Sequence, residues 1–376
     1  MRRLLVLSHP AVLAVNQLPY VELRLHGWDP YLVVPARWRH VYAAGTFPHE
    51  TAPELRGRVA ARRVVLAGRV QRHVYVMHPG RLIDELAPEA AFLEAELTSA
   101  AAFQWSRPLA HRGIPYGVQA AENLDRPWPL MARVFRAATI SDASFVASRS
   151  PTAAKLAQRA RPDVAAPVIP HHVPAWPPSS ESSERPDDGL VVGFAGRLVP
   201  EKGLDTLIEA AAGLDGITVR LVGNGPERDR LTAQAAQLGV RLELRPDIAH
   251  ERMASAYARF DVLVLPSRTT PTWTEQFGRV LVEAMWCGVP VIGSSSGEIP
   301  WVIESTGGGL VFKEGDATAL RRAIAELRDS PARRRELGSS GQERVRDTFS
   351  VEAVARALSG ALTEAVQRSP ASTSSA

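Results

Sequence analysis

The stretch from Val262 to Ile292 limits most strongly what this chain can fold into. Val262-Leu263-Val264-Leu265 is an apolar run of strand length, closed by Pro266 and Ser267. A polar loop follows, then a helical pattern over 277 to 287, then a Gly288-Val289-Pro290 stop and a second short apolar run at Val291-Ile292. Strand, loop, helix and strand within about 30 residues form a βαβ unit, whose two strands must lie parallel.

The same alternation runs through the whole chain. In the second half, strands are expected at 190–195, 218–222, 241–245, 261–265, 290–292 and 309–312. Helices are expected near 203–213, 226–238, 250–258, 277–287 and 316–329. In the first half, strands are expected at 3–7, 31–34, 64–66, 73–77, 90–93, 115–118, 144–147 and 167–169, with helices at 16–26, 81–87, 99–112, 128–138 and 150–160. Such alternation predicts an α/β fold of two Rossmann-like, doubly wound domains. A chain of 376 residues is also long for one domain. The segment from Val173 to Gly189 is rich in proline and serine, which is linker chemistry. The expected organisation is therefore 1–173, linker 174–189, 190–350, a terminal helix 351–367 able to cross back to the first domain, and a disordered tail 368–376. The two sheets are expected to face each other across a cleft at the carboxyl ends of their strands, where open sheets bind ligands.

Composition narrows the function classes. Cys287 stands alone, which excludes an internal disulfide framework and a cysteine-based metal site. Its place beside Gly288-Val289-Pro290 reads as a small buried hydrophobe. The apolar run after Met1-Arg2-Arg3 breaks at Ser8-His9-Pro10, before signal-peptide length, and no stretch reaches the ~20 apolar residues of a membrane span. A cytoplasmic protein is expected. Residues 1–180 carry 21 Lys+Arg against 13 Asp+Glu, a surplus of +8, whereas the rest carries 23 against 27. The basic half suits peripheral contact with an anionic membrane surface or an anionic acceptor. A solvated arginine-rich surface fits as well, because the charges are scattered along the sequence. No helix-turn-helix, zinc or RNA-binding signature supports nucleic acid.

Two carboxylates frame the central unit. Glu275 and Glu283 are eight residues apart, about 12 Å if both lay on one helix, too far to share a proton. Acceptors so separated, beside a helix start that attracts anions, suit a ligand with hydroxyls at both ends and phosphates between. A nucleotide sugar is such a ligand. Upstream, Gly196-Arg197-Leu198 and Glu201-Lys202-Gly203 follow a predicted strand, so Arg197 and Lys202 can clamp a diphosphate. The chain has only three lysines against 41 arginines, which makes Lys202 in this loop conspicuous. Gly223-Asn224-Gly225 is half of a dinucleotide fingerprint, and Leu4 to Gln17 contains no glycine, which argues against nicotinamide chemistry.

Together and in order, Gly196-Arg197-Leu198, Glu201-Lys202-Gly203, Val222-Gly223-Asn224-Gly225-Pro226, Asp261 to Ser267, Glu275-Gln276-Phe277-Gly278 with Glu283-Ala284, and Gly288-Val289-Pro290-Val291 resemble the carboxyl-terminal domain of family 4 glycosyltransferases of the GT-B fold. The resemblance implies a retaining enzyme that uses a nucleotide sugar as co-substrate, with neither cofactor nor metal. It implies that Arg197 and Lys202 hold the donor diphosphate near Gly196 and Gly223. Glu275, with the backbone of Gln276, Phe277 and Gly278, would meet the sugar, and Glu283 the ribose. An ion pair of Glu283 with Arg279 is the structural alternative. In the first half Ser8-His9, Tyr20 to Trp28, Leu93-Glu94-Ala95-Glu96 and Gln119 to Leu124 resemble a bacterial branch of the family less closely. That likeness places Glu122 as a catalytic candidate, with His9 and Asn123 on the acceptor side, although Glu122 is equally well read as a loop carboxylate. The loop from His9 to Gln17 lacks the family's paired glycines, and His171-His172 replaces an asparagine-glycine. The expected reaction is sugar transfer to a hydroxyl acceptor. The alternatives are a noncatalytic sugar-nucleotide-binding partner subunit, or an epimerase on the same fold.

Overall fold

The computed structural model describes residues 1–39, 46–173, 176, 189–246, 248–249 and 252–369. Most of the expected linker, the start of the helix at 250–258 and residues 370–376 of the expected tail lie outside the described residues. The chain forms two units, Met1–His172 with Val351–Ala376, and Val173–Ser350.

The first unit is built on six parallel strands: β1 Arg2–Ser8, β2 Trp28–Pro35, β3 Val59–Arg62, β4 Ala90–Glu96, β5 Tyr116–Ala120 and β6 Phe145–Ser148. They lie in the order β6-β5-β4-β1-β2-β3. Leu4 to Leu7 are at most 1% exposed. A central parallel strand is covered on both faces, so its sequence is continuously apolar and does not alternate. The helix Val351–Gln367 belongs to this unit: Trp28 Nε1 donates to Ser359 Oγ at 3.1 Å and Arg2 to Thr363 Oγ1 at 3.0 Å.

Two expectations fail in this unit, and two expected strands form outside its six-stranded sheet. The third sheet strand is Val59–Arg62, whereas Val64–Val65 and Val74–Tyr75 form a separate antiparallel hairpin. The more apolar Val64-Val65-Leu66 run drew the strand assignment from Val59-Ala60-Ala61-Arg62, whose alanines and arginine carry little β propensity. Residues 167–169 make only an isolated bridge, Val168 to Ser148. The helix expected over 16–26 is broken into an α-helical turn, Leu18–Glu22, between 3-10 segments Ala14–Gln17 and Leu23–His26.

The second unit repeats the plan: β7 Leu190–Ala195, β8 Ile217–Val222, β9 Arg241–Arg245, β10 Val262–Leu265, β11 Val291–Ser294 and β12 Gly309–Phe312, in the order β9-β8-β7-β10-β11-β12. Both sheets thus have the 3-2-1-4-5-6 order of a dinucleotide-binding fold. In this unit the order reverses between β7 and β10, and ligands bind past the strand ends at such a point. The helix Ile299–Thr306 has no counterpart in the sequence reading, and neither does Pro331–Phe349. Its glycines mark close approach: a Cβ on Gly338 would lie 2.3 Å from the Gly288 carbonyl oxygen, and one on Gly341 2.9 Å from the Gly308 Cα. Among the described residues no helix is long and apolar enough to cross a membrane.

Candidate active site

The loops leaving β7 and β10 carry the site of the second unit. Past β7, Gly196 donates its N–H to the Val222 carbonyl at 2.9 Å, and Gly223 adopts φ +143°; a Cβ there would fall 1.9 Å from the Gly196 carbonyl oxygen. The ends of β7 and β8 are therefore pressed together where only glycine fits. The chain then makes a 3-10 turn, Pro200–Lys202, ended by Gly203 at φ +63°, which packs against the Pro266 carbonyl past β10.

This packing brings Lys202 to Glu275. Nζ of Lys202 donates to Oε2 of Glu275 at 2.5 Å, Ser267 Oγ donates to the same oxygen at 2.9 Å, and the ammonium lies 5.1 Å from the centroid of the Trp273 ring. The side chains of Lys202 and Glu275 are only 15% and 11% exposed. Behind them the Glu298 N–H donates to the Glu275 carbonyl at 3.0 Å, and a Cβ on Gly297 would sit 2.0 Å from that carbonyl oxygen. Arg197 is half-buried on the same loop as Lys202.

Glu275 precedes the helix, which begins only at Arg279, so the estimate of its distance from Glu283 by helical rise does not hold. Gly278, at φ +73°, opens the helix; Gln276 is exposed, while the Phe277 ring turns into the core against Phe349 and Trp301. Phe277 can thus offer a ligand its backbone only. Glu283 is 4% exposed. It accepts from Tyr257 OH at 2.6 Å and pairs with Arg279 Nε at 3.0 Å, so the structural alternative exists in the molecule. Burial and the Glu283 charge hold the Tyr257 phenol well above its ordinary pKa, which keeps it a donor. A carboxylate has about four acceptor positions, so these partners leave capacity for a ligand hydroxyl. Burial pushes the Cys287 thiol up to about 12, in keeping with an inert packing residue.

In the first unit the half-buried Glu94 carboxylate and Arg149 together tie the carboxyl ends of four strands. Glu94 accepts from Ser8 Oγ at 2.5 Å and Tyr20 OH at 2.6 Å through Oε2, and from Arg149 at 2.7 Å through Oε1. Arg149 also donates to Gln119 Oε1 and to the carbonyls of Ile169 and Pro170. His9 follows β1, its ring 5.4 Å from His73; burial and His73 lower its pKa to about 3, so it is neutral at physiological pH. Glu96 accepts from the Ala121 N–H at 3.0 Å, and burial pushes its carboxyl up to about 7. Glu122 pairs with Arg126 at 2.7 Å, whose guanidinium stacks 4.4 Å over Trp128, while Asn123 is buried. His172 makes a contact to the Val15 carbonyl at 3.2 Å.

The structure brings Lys202 and Glu275 into contact, and Gly196 against Gly223. It keeps Glu283 in a pocket of its own partners, and His9, Glu122 and Asn123 in the other unit. Ser267, Trp273, Tyr257 and Gly297 were not singled out in the sequence. Ser267 lies within the Asp261 to Ser267 segment quoted there, and Gly297 stands three residues past the end of β11.

Residues 177–344 match the family model described as glycosyl transferases group 1. A D-inositol 3-phosphate glycosyltransferase of Stackebrandtia nassauensis is 30% identical over 314 residues, which cover 75% of this chain and 67% of the relative. The chain belongs to the group 1 glycosyl transferases. The family match contains Gly196, Arg197, Lys202, Gly223, Glu275 and Glu283, and leaves out His9, Glu122 and Asn123. The lipopolysaccharide core biosynthesis glycosyltransferase LpsE of Rhizobium meliloti is 34% identical over 171 residues, 46% of this chain and 49% of LpsE. The chain thus spans about half the length of this relative. Among solved structures, HepE of Anabaena in complex with UDP superposes with a TM-score of 0.72 at 20% identity, over 97% of this chain and 100% of HepE. That likeness shows the fold, the GT-B fold expected from the sequence.

Proposed function

We propose that this chain is a retaining, metal-independent glycosyltransferase that moves a sugar from a nucleotide-sugar donor to a hydroxyl acceptor. The observation that carries the proposal is the Lys202–Glu275–Ser267 cluster at the switch point of the second sheet, beside a helix start and within the family match. In the reaction the bond from the sugar carbon to the diphosphate oxygen breaks, and the nucleoside diphosphate leaves with the electron pair. The acceptor hydroxyl bonds to the same face of the sugar and passes its proton to the departing phosphate. Arg197, Lys202 and the N–H groups opening the helix at Arg279 stabilise the charge that develops on the diphosphate. Glu275 orients Lys202 and takes a sugar hydroxyl, Gly196 and Gly223 let backbone approach the phosphates, and Glu283 takes the ribose. Glu122 is the catalytic candidate of the first unit, and His9 and Asn123 serve the acceptor.

The relatives named above act, by their names, on D-inositol 3-phosphate, whose phosphate is anionic, and in lipopolysaccharide core biosynthesis. The arginine surplus of the first half suits an acceptor of that kind, and peripheral contact of a cytoplasmic protein with an anionic membrane surface belongs to the same proposal. The transfer is tested by incubating the chain with a nucleotide sugar and inositol phosphates or core oligosaccharides in the presence of a chelator. A product with the donor's anomeric configuration by proton NMR supports the proposal. Inverted product, or transfer only with added metal, refutes the corresponding part of it. A noncatalytic partner subunit would bind the donor and release no nucleoside diphosphate.

A further inference from the structure

Between Leu55 and Ile83 the chain carries seven arginines and not one acidic residue. The fold gathers part of this stretch into the hairpin of Val64–Val65 with Val74–Tyr75. Its inner face is fastened firmly. Tyr75 packs edge-on to Trp105, His73 to Trp38, and Gln104 accepts from the Tyr75 N–H at 2.9 Å while donating to the Tyr75 carbonyl at 2.8 Å. With the inner face fixed, strand alternation turns the other side chains outward. Val65 is 43% exposed, Leu66 53% and Val76 54%. Leu66 also holds φ +57°, a conformation a leucine adopts at a cost. Around these aliphatic side chains stand Arg39, Arg63, Arg69 and Arg72, all exposed and without an ion pair among the described residues. The backbone of Arg39 lies against Gly68 of the hairpin turn.

We infer that the outer face of this hairpin docks the protein onto an anionic lipid bilayer. The inference rests on the peripheral-contact part of the proposal above and gives it a surface; it does not depend on the transfer reaction. The charge pattern selects the occupant. Guanidinium groups with no protein counter-ion seek an anionic partner, and three aliphatic side chains between them seek an apolar layer just beneath it. A bilayer interface offers both at that depth. Single-stranded nucleic acid offers phosphates but calls for aromatic stacking, which Val65, Leu66 and Val76 cannot supply.

The test is co-sedimentation of the whole chain with vesicles of phosphatidylcholine alone and of phosphatidylcholine mixed equally with phosphatidylglycerol. Wild type should pellet with the mixed vesicles, not with the neutral ones, and should be released by salt, since surface charge acts over about 8 Å at physiological ionic strength. Each arginine near the surface strengthens binding about fivefold, so Arg69→Gln with Arg72→Gln should weaken it more than tenfold. Leu66→Asn suits the left-handed turn and removes the apolar tip; it should weaken binding while leaving the unfolding midpoint unchanged or raised. All variants should keep the wild-type thermal shift with nucleotide sugar, which separates docking from donor binding. If wild type ignores anionic vesicles, peripheral contact and the docking face both fall. If wild type binds and the variants bind equally well, the hairpin is the wrong surface. Dimerisation through this face without vesicle binding would also overturn the inference.

Discussion

Lys202 and Glu275, 73 residues apart in the chain, share a hydrogen bond of 2.5 Å at the meeting of the loops that follow β7 and β10. Both are largely enclosed, so removing one leaves the other as a poorly solvated charge. Loss of one partner of a buried pair costs about 3–5 kcal/mol, and the remaining exposure here reduces that to roughly 1–3 kcal/mol. Lys202→Met should lower stability by that amount in urea unfolding and reduce transfer about 100-fold or more, the usual loss when a charge-stabilising donor is removed. Glu275→Gln also strips Lys202 of its counter-ion, but the amide oxygen can still accept from Nζ and from Ser267 Oγ, so it should cost less stability than Lys202→Met and still impair transfer.

Tyr257 anchors Glu283 by a charge-assisted hydrogen bond, a type worth about 1.5–3 kcal/mol. Tyr257→Phe should therefore lower the unfolding free energy by an amount in that range. It should also raise KM for the donor with little change in kcat, since Glu283 remains present but loosely held. An unchanged KM would show that the position of Glu283 has no bearing on donor binding.

Two half-buried groups in the first unit give opposite pH slopes. The Glu96 carboxyl titrates near 7 in the folded chain against an ordinary 4.5, so the folded state holds a proton that the unfolded state gives up. Its contribution is complete below about 4.5 and is lost as pH rises towards 7. His9 titrates near 3 against 6.5; its contribution is complete above 6.5 and is lost as pH falls towards 3. Stability measured across this range should lose its alkaline decline in Glu96→Gln and its acid decline in His9→Phe. Parallel pH curves for wild type and both variants would refute these assignments.

Gly223→Ala tests the pressed strand ends. A Cβ there would overlap the Gly196 carbonyl oxygen, and φ of +143° is unfavourable for alanine. Overpacking and backbone strain each cost about 1–3 kcal/mol, so a loss of roughly 2–5 kcal/mol is expected in chemical unfolding.

Much of this arrangement was legible in the sequence, because parallel strands buried on both faces write themselves as apolar runs. The six strands of the second sheet fall within a residue or two of their predicted bounds. Failures came where the local signal misleads. Val64-Val65-Leu66 is the better strand by propensity, yet Val59–Arg62 lies against β2, since sheet membership is decided by tertiary pairing. The helix Pro331–Phe349 is rich in arginine and interrupted by Gly338 and Gly341, so it lacks an apolar stripe; its glycines answer to the backbones they touch. The Lys202 and Glu275 segments stood out by motif, but Tyr257 could not be linked to Glu283 because nothing local joins residues 26 apart. For the same reason Glu94 and Arg149 were invisible as a pair.

Donor binding is the claim on which the account turns, and thermal unfolding against UDP-, GDP-, ADP- and dTDP-sugars without added metal tests it most directly. At about 100 times its dissociation constant a bound donor adds roughly 2.7 kcal/mol to stability. The unfolding midpoint of wild type should rise clearly with one nucleotide class, and Glu283→Ala should lose that rise. No rise with any of the four, or a rise undiminished in Glu283→Ala, would contradict the claim.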